Sequence, residues 1–314
     1  EMEEIPFATR EEIGRTVDFS AGRNRYIGYL ISLSTHSYKG MKIGLDCANG
    51  STWMMAKNIF DALGADTYVI GNTPDGTNIN CDCGSTHIEN LQKHVRLNGL
   101  DVGFAFDGDA DRCLAVDEDG NMINGDQIMG ILARAKQREG KLNHDTLVVT
   151  VMSNLGLKLA LKGMGIKTVE TAVGDRYVLE EMLKGDYSLG GEQSGHVINR
   201  EFATTGDGTL TALTLCNEVV KSGKSLKELA ADFPQLPQTL INVPNVDKKA
   251  ASTNKRIQDA VAREEELLGD TGRVLLRPSG TEPLVRVMAE AATQADADEA
   301  CPRLAKIVAE ELAL

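Results

Sequence analysis

The chain has 314 residues, 42% of them apolar and 25% charged, which is the profile of a soluble globular protein with room for two or three domains. Its formal net charge of −13 argues against nucleic acid as a partner, because proteins that neutralise phosphates are basic. No apolar run is long enough to span a bilayer and no signal peptide is recognised, so we expect a cytoplasmic protein without a membrane partner. The six cysteines show neither disulfide nor zinc spacing, and we expect Cys81 and Cys83 to be reduced thiols.

Strands alternate with helices from residue 41 onward, whereas residues 1–40 offer only one helical stretch, at 22–32. We expect residues 1–40 to be the remnant of another domain and a linker. The first alternating set is predicted as strands at 41–45, 66–70, 102–106 and 113–117 and helices at 51–63, 85–97 and 126–137. Alternation of this kind predicts an α/β layer with a largely parallel sheet.

A second alternating set follows, and then the order changes. The second set is predicted as strands at 146–151, 166–170 and 197–199 and helices at 155–162, 175–183, 207–221 and 226–231. A proline-rich linker at 233–237 precedes a smaller α+β arrangement. Its strands are predicted at 239–243, 272–277 and 284–290, and its helices at 253–268 and 296–311.

An acidic loop joins two strand-like segments near the middle of the first set. Asp107, Asp109 and Asp111 occupy alternate positions, and Arg112 follows them. Three carboxylates of one sign repel each other without a cation, and carboxylate oxygens are ligands that Mg²⁺ prefers. Arg112 adds a planar donor fork suited to a phosphate or sugar oxygen.

Three other interpretations of the acidic loop compete with a magnesium site. An EF-hand loop would need glycine where Arg112 stands, and helices rather than strands on both sides. An acidic turn without a ligand is the second alternative. The third is a phosphatase that uses Asp107 as its nucleophile.

Two further polar clusters lie in the second alternating set. Residues 191–196 read Gly-Glu-Gln-Ser-Gly-His and offer a carboxylate, an amide, a hydroxyl and an imidazole, and Glu192 could accept hydrogen bonds from sugar hydroxyls. His196 could bind phosphate or move a proton, since imidazole titrates near neutral pH; the alternative is a hydrogen-bonded loop histidine. Asp175 and Arg176 follow a predicted strand, where the alternative is a helix cap with a surface arginine.

The last polar cluster, at residues 277–286, joins two strands of the smaller α+β unit. Ser279, Gly280 and Thr281 can direct hydroxyl and backbone N–H groups at one anion, and Arg277 and Arg286 supply positive charge. The alternative is an ordinary Ser-Gly hairpin.

Together these motifs resemble a known family. Segments 107–112, 191–196 and 277–283 occur in the order of the metal, sugar and phosphate loops of the α-D-phosphohexomutase superfamily. Finer features resemble the bacterial phosphoglucosamine mutases within that superfamily. These finer features are the segments 45–50, 78–80, 83–87 and 150–156 and the single residues Gln193 and Gly280. The resemblance covers nearly the whole chain from about residue 42, and residues 12–32 resemble the end of the family's first domain.

The resemblance implies an α/β fold with two tandem α/β phosphohexomutase-type domains followed by a smaller α+β C-terminal domain. The implied division is a first-domain remnant and linker at 1–40, domain II with the metal loop at 41–142, domain III with the sugar loop at 143–236, and domain IV with the phosphate loop at 237–314.

The resemblance also implies a mechanism. A phosphoserine gives its phosphoryl group to a hexosamine phosphate, and the resulting bisphosphate turns over and returns the other group. The net reaction interconverts glucosamine 6-phosphate and glucosamine 1-phosphate, toward UDP-N-acetylglucosamine. Mg²⁺ on the three aspartates would offset the charge of the transferring group, which makes them ligands rather than nucleophiles. The implied catalytic side chains are Arg112 and His196, and the implied substrate ligands are Asp175, Arg176, Glu192, Ser194, His196, Arg277, Ser279, Gly280, Thr281 and Arg286.

One departure from the family pattern limits these expectations. The family's phosphoserine loop is not found, and residues 34–37 have only a faint likeness to it. We therefore expect domains two to four of the enzyme, inactive alone, with the missing phosphoserine domain as their partner. A phosphoglucomutase or phosphomannomutase specificity remains open, and so does a phosphosugar-binding module without catalysis. We expect a monomer, because family dimers are built through the missing domain.

Overall fold

Three separate β-sheets organise the chain in the computed structural model, which describes residues 7–279 and 282–314. The strands are β1 (Lys42–Asp46), β2 (Asp66–Ile70), β3 (Val102–Phe106), β4 (Cys113–Val116), β5 (Met122–Ile123), β6 (Thr146–Thr150), β7 (Lys167–Thr171), β8 (Leu189–Gly191), β9 (Val197–Asn199), β10 (Gln238–Pro244), β11 (Arg273–Pro278) and β12 (Leu284–Glu290). The helices are α1 (Ser20–Leu33), α2 (Ala56–Ala62), α3 (Glu89–Asn98), α4 (Gly125–Arg138), α5 (Leu155–Gly163), α6 (Asp175–Lys184), α7 (Gly208–Ser222), α8 (Leu226–Ala230), α9 (Lys255–Leu268) and α10 (Gln294–Leu312).

The first sheet has the order β2-β1-β3-β4-β5. β2, β1 and β3 are parallel, whereas β4 and β5 run antiparallel to their neighbours, so the largely parallel sheet that the pattern predicts is realised in three of five strands. All five residues of β3 are buried, as expected for a central strand between helices. The acidic loop leaves the carboxyl end of β3 and returns directly into β4.

The second sheet has the order β7-β6-β8-β9, with β7, β6 and β8 parallel and β9 antiparallel to β8. The short β8–β9 hairpin carries the Gly-Glu-Gln-Ser-Gly-His sequence. One apolar core serves both sheets: Phe104 of β3, Leu147 of β6 and Phe233 after α8 belong to the same cluster of buried side chains. The domain boundary near Asn143 stays a prediction.

The third sheet is antiparallel, with the order β10-β12-β11, and α9 and α10 pack against it. It has its own core, in which Val285 and Val287 of β12 meet Leu304 and Val308 of α10. This is the α+β arrangement that the change of pattern after residue 237 predicts.

Two predicted helix starts are wrong. The backbone N–H of Ser51 donates to the Gly108 carbonyl oxygen at 2.8 Å, and a 3₁₀ turn, Ser51–Met54, precedes α2. The backbone N–H of Ser85 donates to the Phe106 carbonyl oxygen at 2.8 Å, and α3 begins only at Glu89. Ser51 lies inside the 3₁₀ turn and Ser85 lies four residues before α3, so neither serine caps an α-helix.

Within the residues that the structure describes, no helix is both long enough and apolar enough to cross a membrane. The six cysteines are all free.

Candidate active site

The acidic loop brings its three carboxylates together. One oxygen from each of Asp107, Asp109 and Asp111 lies within 4.8 Å of the others. Asp107 is buried, Asp111 is half-buried and Asp109 is exposed, so the cluster is open on one side. The backbone N–H of Arg112 donates to Asp107 Oδ1 at 3.1 Å, and Ala110 takes a left-handed conformation with φ 66° to close the loop.

The electrostatics of the loop fit a cation. Burial, aided by the neighbouring Asp111, raises the pKa of Asp107 to about 6. Burial also opposes ionisation of Asp111, but its hydrogen bonds with Asp107 and His196 outweigh burial and lower the pKa of Asp111. Among the described residues, the buried Oδ1 of Asp111 has no hydrogen-bond partner. A buried carboxylate oxygen without a donor, beside two further carboxylates, is the donor set that a hard cation requires.

Close backbone approach holds the acidic loop in place. A Cβ atom on Gly50 would lie 2.3 Å from the Gly108 carbonyl oxygen, so the turn after β1 can touch the loop only with glycine there. On the other side, the N–H of Gly208 donates to the Ala110 carbonyl oxygen at 2.8 Å. The loop is therefore clamped between the β1 turn and the start of α7.

The β8–β9 hairpin lies directly against the acidic loop. Cys113 donates its backbone N–H to the Gly195 carbonyl oxygen at 3.1 Å, and Arg112 and His196 form an isolated antiparallel bridge. Gly195 has φ 97° and packs against Cys113 so closely that a Cβ atom would lie 2.4 Å from its oxygen. The predicted metal and sugar motifs, about eighty residues apart in sequence, thus form one surface.

His196 is buried and bonded through both ring nitrogens. The Gly206 N–H donates to Nε2 at 3.2 Å, which makes Nε2 the acceptor, so Nδ1 carries the proton and donates to Asp111 Oδ2 at 3.0 Å. The ring therefore orients a carboxylate of the acidic loop. Its predicted role in phosphate binding or proton transfer stays a prediction.

The other predicted ligands of the second alternating set lie at different distances from the surface formed by the acidic loop and the β8–β9 hairpin. Glu192 is half-buried and accepts the Gly174 N–H at 2.9 Å, while Ser194 is exposed. Asp175 begins α6 with its carboxylate 4.0 Å from His196 Nε2. The structure does not bring Arg176 into the cluster: its exposed side chain pairs with Glu180 one turn along α6, as in the surface-arginine alternative.

In the third sheet, Arg277 and Arg286 are direct cross-strand partners on the two strands that flank residues 279–283. Ser279 is buried, and its hydroxyl accepts the Glu282 N–H at 3.2 Å. Gly280 and Thr281, predicted as phosphate ligands, lie outside the described residues. Lys248, which the sequence analysis missed, donates to the Ser279 carbonyl oxygen at 2.6 Å. It sits in no recognisable motif, so no local signal could have identified it.

Sequence reasoning also missed the residues that support His196. Asp207 lies next to Gly206, caps α7 through the Leu210 N–H, and accepts from the Tyr26 hydroxyl. The Asp-Gly pair at the predicted helix start signalled a cap, but nothing near Tyr26 indicated a contact with the site.

Models of the phosphoglucomutase/phosphomannomutase family match three parts of the chain. The α/β/α domain II model matches residues 24–120, the α/β/α domain III model residues 124–236, and the C-terminal domain model residues 240–307. A phosphoglucosamine mutase of Bifidobacterium longum (strain DJO10A) is 79% identical over 306 residues, covering 95% of this chain and 66% of that protein. One from Arthrobacter sp. (strain FB24) is 55% identical, covering 98% of this chain and 68% of that protein.

The chain belongs to the phosphoglucosamine mutase family. The family membership and the α/β fold predicted from the motifs are therefore confirmed. The chain spans about two thirds, 66%, of the length of the Bifidobacterium longum phosphoglucosamine mutase.

Solved structures share the fold. A phosphoglucomutase/phosphomannomutase family protein from Burkholderia thailandensis superimposes with a TM-score of 0.76 at 22% identity, covering 93% of this chain and 65% of that one. N-acetylphosphoglucosamine mutase from Aspergillus fumigatus, solved in complex with GlcNAc-6P and magnesium, superimposes with a TM-score of 0.73 at 21% identity, covering 91% of this chain and 64% of that one.

Proposed function

We propose that this chain provides the metal, sugar and phosphate loops of a phosphoglucosamine mutase, which interconverts glucosamine 6-phosphate and glucosamine 1-phosphate through a phosphoserine and a bisphosphate intermediate. The proposal rests mainly on the cluster of Asp107, Asp109 and Asp111, in which the buried Asp111 Oδ1 has no hydrogen-bond partner among the described residues. The chain that carries this cluster is 79% identical to a phosphoglucosamine mutase. The phosphoserine belongs to a further domain, which we propose as the partner of this chain.

The acidic loop would hold Mg²⁺ through Asp107, Asp109 and Asp111. When bound, the ion supplies positive charge to the transferring phosphoryl group. His196 keeps Asp111 oriented through its Nδ1–H, and both groups are fixed before substrate arrives. The Arg112 side chain is 43% exposed, and its Nη1 lies 3.7 Å from Asp107 Oδ2, so the exposed part of the guanidinium would donate to a phosphate oxygen beside the loop.

The third sheet would hold the phosphate that does not react. Arg277 and Arg286 project from one face of the sheet as neighbours, and neither has an ion-pair partner within residues 7–279 and 282–314. Lys248 donates to the Ser279 and Glu282 carbonyl oxygens. Glu192 and Ser194 would bind sugar hydroxyls. Asp175, Arg176, Gly280 and Thr281 stay predicted ligands.

This arrangement and the relatives' names support a hexosamine phosphate as the substrate. A dianionic phosphate suits the paired guanidinium groups, and carboxylate and hydroxyl groups suit a hexosamine ring. Because such a substrate is charged and does not cross a bilayer unaided, we place the enzyme in the cytoplasm. The monomeric state stays a prediction.

The test is turnover by a chimaera in which the amino-terminal third of the Bifidobacterium longum relative precedes this chain. We expect conversion of glucosamine 1-phosphate in preference to the glucose and mannose phosphates, and no turnover by the chain alone. The same chimaera with Asp109→Ala should lose turnover but keep its fold. Preference for glucose or mannose phosphate would replace the proposed specificity, and phosphosugar binding without turnover would favour a binding module.

A further inference from the structure

A tyrosine of α1 contacts the segment that supports His196. The Tyr26 hydroxyl lies 2.9 Å from both Oδ1 and Oδ2 of Asp207, so its single proton is shared between the two carboxylate oxygens. Asp207 Oδ1 also accepts the Leu210 N–H at 2.8 Å, which caps α7. Asp207 is thus held between a phenol from one helix and the first turn of another.

The neighbouring residue connects Asp207 to the acidic loop. The Gly206 N–H donates to His196 Nε2, and the imidazole passes so close to Gly206 that a Cβ atom there would lie 2.4 Å from the ring. The other ring nitrogen donates to Asp111 Oδ2. Tyr26 bonds to Asp207, and Gly206 bonds through His196 to Asp111, so the peptide link between Gly206 and Asp207 connects the two sets of polar contacts.

The other end of the same segment is also held by α1. The Tyr29 hydroxyl donates to the Phe202 carbonyl oxygen at 2.6 Å. Residues 202–207 form a connection without helix or strand, so their conformation depends on such anchors. Tyr29 holds the start of the connection, and Tyr26 holds the end that faces His196.

We propose that Tyr26 is a positioning residue of the metal site, which holds Asp207 and the adjoining Gly206 amide so that His196 keeps its Nδ1–H directed at Asp111. The inference rests on the proposed function, because it takes Asp111 as a magnesium ligand. Loss of the Tyr26 hydroxyl frees the connection, allows the imidazole to change tautomer or tilt, and leaves Asp111 without its donor. Geometry at a metal ligand depends on such supporting hydrogen bonds.

Tyr38 offers a matched control for Tyr26. Tyr38 is fully buried, and its hydroxyl donates to the Leu213 carbonyl oxygen at 3.1 Å and to Asn217 Oδ1 at 2.8 Å. Both tyrosines precede β1 in the chain, and Tyr38 bonds to residues of α7, whereas Tyr26 bonds to Asp207, which caps α7. Only Tyr26 bonds at the end of α7 that adjoins His196. Replacement of either by phenylalanine removes one hydrogen-bonded hydroxyl and keeps the ring.

The experiment compares the wild-type chain with Tyr26→Phe and Tyr38→Phe. Nitrogen–proton correlation spectra report the tautomer of each histidine ring, with the His196 signals assigned by their absence in His196→Gln. Mg²⁺ is titrated into each variant at one fixed pH. We expect the Nδ1–H tautomer in the wild type and in Tyr38→Phe. Tyr26→Phe should show averaged or Nε2–H signals and about three- to tenfold weaker Mg²⁺ binding.

The proposal would be overturned if Tyr26→Phe kept the wild-type ring signals and the wild-type affinity for Mg²⁺. It would also be overturned if Tyr38→Phe changed the ring signals and weakened Mg²⁺ binding as much as Tyr26→Phe. If Tyr26→Phe does not fold, Asp207→Asn replaces it, since asparagine keeps the helix cap but is a weaker acceptor for the phenol. That variant should shift the His196 signals and weaken Mg²⁺ binding by a smaller factor; no change in either would also overturn the proposal. Failure of the metal site itself is distinguished by Asp109→Ala, which must lose Mg²⁺ binding for the comparison to hold.

Discussion

Arg277 of β11 and Arg286 of β12 stand directly opposite each other on antiparallel strands. Side chains of such a pair leave the same face of the sheet, and like charges placed there destabilise it. Both residues are half-buried, and no carboxylate among the described residues lies within ion-pair distance of either. The arrangement costs stability unless an anion fills the space between the two guanidinium groups.

Removal of Arg286 should therefore weaken phosphosugar binding without harm to the fold. We expect Arg286→Ala to bind glucosamine 6-phosphate about tenfold or more weakly, because each charge-assisted bond contributes roughly 1.5–3 kcal/mol. Arg286→Lys should recover part of the loss, since an ammonium lacks the planar fork. NMR titration with glucosamine 6-phosphate and with unphosphorylated glucosamine measures this. Arg263→Ala, an exposed arginine of α9, is the control. Identical shifts with both ligands would leave residues 277–286 an ordinary hairpin.

The acidic loop should bind Mg²⁺ weakly in this chain alone. Three carboxylates are few ligands for an ion that keeps several waters and usually relies on a phosphate oxygen. Calorimetric titration should give weak binding by the wild type and none by Asp109→Ala. Asp119→Ala, which removes an exposed carboxylate paired with Lys227, should behave as the wild type. Tight wild-type binding, or equal binding by Asp109→Ala, would contradict the assignment.

Asp126, in the first turn of α4, should make stability depend on pH. It is almost fully buried, its Oδ2 accepts the Asn154 N–H at 2.8 Å, and burial raises its pKa to about 6. Because the folded state holds this proton more tightly, its contribution to stability is full below about pH 4 and is lost as the pH rises through about 6.

Asp126→Asn keeps the shape and removes the charge. We expect the free energy of unfolding at neutral pH to rise by about 1–3 kcal/mol, and the loss of stability between about pH 4 and pH 6 to diminish. Urea denaturation across this range measures both. Asp259→Asn, on the exposed face of α9, should change the free energy by no more than about 0.5 kcal/mol. A wild-type pH profile in Asp126→Asn would contradict the prediction.

Arg273 holds the third sheet against the second. Its side chain pairs with Glu290, which is fully buried, at 2.6 Å, and it donates to the Val151 and Ser153 carbonyl oxygens at 3.0 and 2.7 Å. Arg273→Ala leaves a buried carboxylate without its charge partner, so we expect a loss of about 3–5 kcal/mol in unfolding free energy.

An exposed ion pair of the same unit is the matched comparison for Arg273. Arg256 and Glu311 form an ion pair at 2.5 Å between α9 and α10, and the Arg256 side chain is 62% exposed. Arg256→Ala should cost about 1 kcal/mol or less by the same denaturation measurement. Similar losses in the two variants would show that Arg273 contributes no more than a surface charge.

The order of helices and strands was predictable because periodicity and turn residues are local signals. The failures have tertiary causes: α2 and α3 begin late because Ser51 and Ser85 donate to the acidic loop and to β3. The two-residue strand β5 is too short to show a pattern. Three alternating carboxylates were enough to predict the acidic loop as a metal site. The His196–Asp111 contact could not be predicted, because it depends on how two sheets pack together.

Three backbone links join the acidic loop to the β8–β9 hairpin and to α7, and the first two sheets share one core. These connections affect how the molecule unfolds. Elements that share one core and exchange main-chain hydrogen bonds open as one cooperative unit in hydrogen exchange. The third sheet has a core of its own and meets that unit through a few polar contacts, so its amides can exchange by a separate opening. The metal and sugar loops thus belong to the unit that opens together, and Arg277 and Arg286 belong to the unit that can open alone.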